Sequence, residues 1–258
     1  MKIYIKNFMK YKDLLCELIK KDIKLKYQHS YLGFLWSMVN PLLVMIVLSV
    51  VFSGLFKRSI ENFPVYVLTG RVVYSFFSEA TIFAMDSIRN NAQLIKKVYV
   101  PKYFFPMSRV ISSFIANFSA IIPIMIIMIA TDMKFHWTNI LIILPLFLLL
   151  LISIGIGLIL SAVNVFFRDI KHLYNVILML LMYLTPIFYP VEIIPDKLLA
   201  IVEWNPLFPT LRMFRDILML GQYPYAMDLV IASIQTAVFF LIGVYIFYKT
   251  QHRFILHL

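Results

Sequence analysis

The chain reads as long apolar runs broken by short polar segments. Six runs stand out, at about residues 36–56, 64–85, 110–130, 140–163, 173–188 and 229–247. Each predicts a helix crossing a bilayer, since about 21 residues at 1.5 Å rise reach about 31 Å, the thickness of a hydrocarbon core. The fifth run is short, and Pro186 and Pro190 blur its end. Ahead of the first run the pattern turns periodic. From Phe8 to Tyr27, residues Tyr11, Leu14, Leu15, Leu18 and Ile19 share one helical face, opposite Lys10, Asp13, Glu17, Lys20 and Lys24. A cationic helix with one apolar face settles at the headgroup boundary of anionic lipid.

Two connecting segments carry structure of their own. Residues 86–109 have the length and pattern of a short helix, whose run stops at Val100 because Pro101 disfavours helical geometry before it. Residues 186–228 are long, apolar and interrupted by Pro186, Pro190, Pro195, Pro206 and Pro209. Two short helices dipping into the outer leaflet fit this segment, with protein covering their exposed backbone. No repeat, low-complexity tract or linker appears. The expected architecture is an all-α integral membrane protein of one domain, 1–258: an N-terminal tail with the interfacial helix over 1–35, then a six-span bundle over 36–248.

Charge orients this bundle. Of the 24 Lys and Arg, seventeen lie in the N-terminal tail, the 86–109 and 164–172 segments and the C-terminal tail. Six lie in the 57–63, 131–139 and 189–228 segments, and Arg71 sits within the second run. That bias predicts cytoplasmic termini. Charged residues make up 14% of the chain and hydrophobic ones 62%. A soluble domain carries roughly 25% charged residues, so much of this apolar surface must face lipid. The net charge of +11 is spread over short loops between apolar runs, which argues against a nucleic-acid partner. The single cysteine, Cys16, permits no internal disulfide and reads as a small apolar residue rather than a reactive or palmitoylated thiol. No cleavable signal is expected, because the first true apolar run starts near Trp36 and is too long for one.

The chemistry the chain lacks narrows its function. There is no phosphate-loop motif for nucleotide hydrolysis, no nucleophile elbow, and no histidine pair at metal-ligand spacing. The chain is therefore expected to be no enzyme and to bind no cofactor or metal. Ser153, Gly157 and Ser161 form a small-residue ladder that lets helices approach closely. Only Arg71 and Glu79 place charge inside a run, eight residues apart on nearly one face. Arg71 falls near the outer end, where it can snorkel; the pair is either an interface and packing contact or a substrate charge contact. The aromatic residues Tyr74, Phe76, Phe77, Tyr183, Phe188 and Tyr189 cluster toward outer ends. They are either interfacial anchors or a ring on which sugars stack. With no engine of its own, the chain must receive work at its cytoplasmic features: the amphipathic helix, the helix near Asn91–Val100 and the turn Phe166–His172.

These features resemble a known family, the membrane permeases of type-2 ABC exporters for cell-surface polysaccharides such as O-antigen, capsule and teichoic acid. The resemblance is carried by Asp22-Ile23-Lys24-x-Lys26-Tyr27-x-x-Ser30-x-Leu32-Gly33-x-x-Trp36 with Asn40-Pro41-Leu42, and by Gly70 with Phe76-Phe77. It continues in Asn91-x-x-Leu94-Ile95-Lys96-Lys97-Val98-Tyr99-Val100-Pro101, Asn164 to Ile170, Thr185 to Tyr189, and Asn205-Pro206. It implies two copies of this chain paired with two ATP-binding cassette subunits that hold ATP and magnesium, in a bacterial plasma membrane. It implies ATPase coupling through the Leu32-Gly33 turn, a helix with Asn91, Leu94, Ile95 and Lys97, and a second contact at Arg168-Asp169. The pore would run between the two permeases and carry a lipid-linked glycan, capped by the proline-rich segment as re-entrant helices. The alternative cargo is a drug or small lipid. A membrane-embedded transferase would need a His, Asp or Glu constellation that the sequence lacks, and a secondary carrier would need more buried charge.

Overall fold

The computed structural model describes residues 9–28, 31–56 and 60–258, and every regular element among them is helical. Residues 1–8, the junction residues 29 and 30, and 57–59 of the first loop lie outside the described residues.

Helix α1 (Lys12–Tyr27) carries the amphipathic stripe. Its apolar face meets protein rather than only lipid, with Leu15 and Leu18 buried in the main core. One turn on, Asp22 extends the same buried face. Its carboxylate lies 3.3 Å from Arg109 and accepts a hydrogen bond from Ser108 at 3.2 Å. The helix is thus latched to the bundle by a polar pair that the hydrophobic pattern did not reveal. Burial pushes the Asp22 carboxyl above its ordinary range, while Arg109 and Ser108 pull it partly back. The folded state holds this proton more tightly than the unfolded chain, so the latch is firmest at low pH and loosens as pH rises through the raised range. A spin label on the exposed Cys16 is expected to grow less mobile as pH falls through that range, and Asp22→Asn is expected to abolish the dependence.

A 3-10 turn over Gly33–Leu35 leads into α2 (Trp36–Phe56), whose bounds match the first run. Helix α3 (Phe63–Asn90) starts from an Asn62 cap and outruns the second run by its last turn. A short α4 (Ala92–Lys97) follows and ends before Val98, which is already extended. The third run is split into α5 (Phe104–Phe118) and α6 (Ile121–Ala130). Pro123 explains the break: it lacks the N–H that would bond to Ser119 O, and its ring crowds that carbonyl. After a 3-10 turn over Trp137–Ile142 comes α7 (Ile143–Phe166). Helix α8 (Ile170–Leu184) stops short of the expected Phe188, because Thr185 precedes Pro186 and is held extended at ψ 128°. The proline-rich segment contains α9 (Asp196–Trp204) and α10 (Leu207–Leu218), and α11 (Ala226–Thr250) and α12 (Phe254–His257) close the chain.

Three helical stretches among the described residues are long and apolar enough to cross a membrane: Phe104–Ala130, Trp137–Phe166 and Ala226–His257. The apolar helices at Trp36–Phe52 and Ile170–Leu184 are shorter. Helix α3 is not among them, since Arg71, Glu79, Asp86 and Arg89 interrupt its apolar run.

The core forms around α3 and α7. Ser153, Gly157 and Ser161 are buried as the ladder requires, and a Cβ on Gly157 would lie 2.8 Å from Ala84 Cβ of α3. The opposite face of α7 meets α11 more closely still. A Cβ on Gly243 would lie 2.2 Å from Gly155 O, so the two backbones touch with no room for a side chain.

Contacts sort the described loops into two ends. At one end, Asn62 donates to Thr131 Oγ1 at 2.7 Å, Tyr66 reaches the 186–189 turn, and Gly221 lies against His136. At the other, the α3–α4 corner meets the α7–α8 turn and the C-terminus, and Lys102 donates to Gln251 O at 2.7 Å.

Candidate functional site

The α4 end gathers most of the residues expected to couple to a partner. The short α4 departs from α3 at Asn91, whose side chain donates to Ser87 O at 2.8 Å and fixes the corner. Leu94 faces outward at 37% exposure, whereas Ile95 is 6% exposed and packs in the main core. Ile95 is therefore a support for α4 and not a surface residue; its place outside is taken by Val98 and Tyr99, which are exposed. Lys97 is exposed in the last turn of α4. Arg168 and Asp169 are exposed in the α7–α8 turn beside an exposed Phe167.

A polar concavity of about 310 Å³ joins the two segments, lined by Asp86, Arg89, Ala92, Arg168, Lys171 and the C-terminal residues His257 and Leu258. Asp86 anchors it: Lys171 donates to one carboxylate oxygen at 2.7 Å and Asn164 to the other at 3.2 Å. Asn164 also donates to Met85 O at 2.9 Å, so α7, α8 and the end of α3 are tied together. Leu32 and Gly33 do not line this concavity. Leu32 is exposed, and Gly33 adopts φ +49°, a left-handed conformation that suits glycine at the start of the turn into α2.

The expected aromatic ring divides. Tyr74, Phe76 and Phe77 are buried inside the chain; Tyr74 donates to Leu178 O at 2.8 Å, and Phe76 stacks edge-on against Phe114. They pack helices together. Tyr183 is exposed, while Phe188 and Tyr189 are half-buried, and Tyr189 donates to Tyr183 O. The residue that organises this end escaped the sequence reading. Arg215 of α10 is buried and donates to Pro186 O at 2.8 Å, Ile187 O at 3.3 Å and Tyr66 O at 3.1 Å. Its guanidinium also stacks on the Tyr66 ring, 3.4 Å from the centroid. Gly70 permits this, because a Cβ there would lie 2.9 Å from Arg215 Nη2. Arg215→Met is expected to remove these three hydrogen bonds from a buried site and lower stability by about 2–3 kcal/mol, read as a lower thermal midpoint in detergent.

Arg71 and Glu79 come together in a cleft between α1, α2, α3 and α5, of about 160 Å³, with Lys26, Trp36, Asn40 and Asn117 also on its walls. Glu79 is paired with Lys26 of α1. Arg71 thus faces α1 and the first turns of α2, not the nearby Phe63 end of α3, the expected direction of snorkelling.

Residues 13–219 match the ABC-2 type transporter membrane family. The O-antigen export system permease protein RfbA of Klebsiella pneumoniae is 31% identical over 251 residues, covering 94% of this chain and 93% of that protein. RfbA of Myxococcus xanthus is 30% identical over 75% of this chain and 74% of its own length. The polysialic acid transport protein KpsM of Escherichia coli is 25% identical over 92% of each. With the family match spanning most of the helical bundle, and a relative of this identity matched along nearly its whole length, the chain belongs to the ABC-2 type transporter membrane family.

Proposed function

We propose that this chain is the permease subunit of an ATP-driven exporter that moves a lipid-linked polysaccharide from the cytoplasm across the plasma membrane. The observation that carries the reading is the α4 end: two separate segments of a membrane chain without a nucleotide site converge there on one exposed, basic surface. A partner that hydrolyses ATP with magnesium docks on that surface, with Leu94, Lys97, Arg168 and Asp169 as contacts and Asn91 and Ile95 holding α4 in place. Leu32 and Gly33 form a further contact beside α1. Two copies of the chain flank the channel, each opposite one ATP-binding subunit. Helices α2, α3, the α5–α6 pair, α7, α8 and α11 make six crossings, which puts both termini in the cytoplasm. The α9–α10 segment caps the outer end as re-entrant helices. Tyr183, Phe188 and Tyr189 offer rings to the passing glycan, while Tyr74, Phe76 and Phe77 brace the helices behind them. Arg71 forms a charge contact for the substrate, with Glu79 beside it in the same cleft. The relatives' polysaccharide cargo favours this reading over a drug or small lipid.

A tagged chain purified from its native membrane is expected to bring down an ATPase in equal amount. Recovery as a lone monomer with no ATPase sinks the proposal.

A further inference from the structure

The cleft between α1, α2, α3 and α5 holds a charge that the chain itself leaves unanswered. Among the described residues, Glu79 is neutralised by Lys26, while Arg71 makes neither an ion pair nor a hydrogen bond. A half-buried guanidinium amid apolar helices is unfavourable unless an anion meets it. The lining suits one. Arginine's planar fork matches phosphate oxygens bidentately and is weakly hydrated for a cation. The Trp36 indole offers only an N–H donor and the Asn40 amide offers two more. Both residues are exposed, Trp36 at 46%, so the cleft can be reached from outside the chain. Its one carboxylate is already paired, so an incoming anion meets little repulsion. The volume of about 160 Å³ is well under the roughly 300 Å³ that holds a drug-sized ligand, which suits a compact headgroup and excludes a glycan chain.

We infer that this cleft binds a phosphate or diphosphate group attached to a lipid, with Arg71 as the principal charge contact and Trp36 and Asn40 as donors. The assignment rests on the export reading, with the phosphate taken as the group that joins lipid to glycan. Lys26 and Glu79 form the rim. Their ion pair holds α1 against α3 and keeps the second cation of the cleft satisfied while no anion is bound. An arriving phosphate competes with Glu79 for Lys26, so binding at Arg71 loosens α1 from α3.

Trp36 is a built-in reporter. Trp137 and Trp204 are 89% and 83% exposed and do not line the cleft, so Trp137→Phe with Trp204→Phe leaves Trp36 as the single indole. In phosphatidylcholine nanodiscs, farnesyl diphosphate is expected to give a saturable change in Trp36 emission. Arg71→Gln is expected to weaken that binding by about tenfold or more, the loss of one charge-assisted contact. Arg71→Lys keeps most of it, and Glu79→Gln tightens it by freeing Lys26. Circular dichroism and recovery of the ATPase confirm that each variant is folded. Equal binding by wild type and Arg71→Gln overturns the site. Equal binding of inorganic pyrophosphate overturns the lipid attachment, and an equal response to phosphatidylglycerol alone assigns the cleft to bulk lipid and overturns its role with substrate. Unresponsive Trp36 in a chain that still recovers its ATPase and exports sinks this site alone. A chain that binds farnesyl diphosphate but neither recovers an ATPase nor exports sinks the export reading instead.

Discussion

Leu94→Asp is expected to cut export by about thirtyfold or more while the protein stays in the membrane at its normal level. A charge placed at the centre of a protein interface costs about 2 kcal/mol or more of association. Leu94 is the outward apolar residue within α4, so the penalty falls on the partner contact and not on the fold. Ile95→Asp, one position along, is expected to behave differently. Ile95 sits in the main core, and an unpaired carboxyl there costs about 3 kcal/mol or more of folding. The first variant should therefore accumulate but fail to place glycan on the cell surface, while the second should fail to accumulate. Immunoblots of membrane protein and surface glycan separate them. Normal export by Leu94→Asp removes α4 as a coupling element.

Gly243→Val is expected to prevent the bundle from assembling. A side chain there meets Gly155 O and Cα, and helix backbones cannot yield as a flexible side-chain tip can. Even alanine must push α11 off α7, an overpacking cost of about 1–3 kcal/mol, and valine adds to it. Gly155→Ala meets Phe239 O at 2.6 Å and should show the same defect from the other side. Gly54 supplies the control: a Cβ there meets nothing within 4 Å, so Gly54→Ala is expected to be neutral or to stabilise by up to about 1 kcal/mol through helix propensity. Detergent size-exclusion profiles of the variants test this contrast, and a monodisperse Gly243→Val at wild-type yield would refute it.

The helices were legible where apolar runs are long. The bounds of α2 and the existence of helices in both unusual segments follow from hydrophobic run length and proline placement alone. Breaks within a run were harder. Pro123 lies in unbroken apolar sequence, and its effect on Ser119 O appears only when the helix register is known. Periodicity also fails in short elements: α4 has six residues, too few to show which of Leu94 and Ile95 turns inward. Polar residues used for structure were the least legible. Asp22 continues the apolar face of α1, where a pattern of hydrophobic residues registers only an interruption. Arg215 counts in sequence as one more loop cation, yet it is enclosed by carbonyls and a tyrosine ring drawn from elements up to 149 residues away. The Arg71–Glu79 spacing pointed correctly to one face of α3, but the direction of that face was set by α1 and α2, which sequence spacing does not report.

Helix α3 has a mechanical property that follows from its length and its two anchored ends. It contains no proline beyond Pro64 and runs 28 residues, about 42 Å. At one end it turns directly into α4, and at the other Arg215 grips it beside Gly70. Such a rod acts as a stiff beam: each degree of tilt about one end carries the other by about 0.7 Å at this length. Movement of α4 is thereby delivered toward the 186–189 turn with little bending, whereas the antiparallel α5–α6 pair, interrupted at Ser119–Ala120, would absorb it.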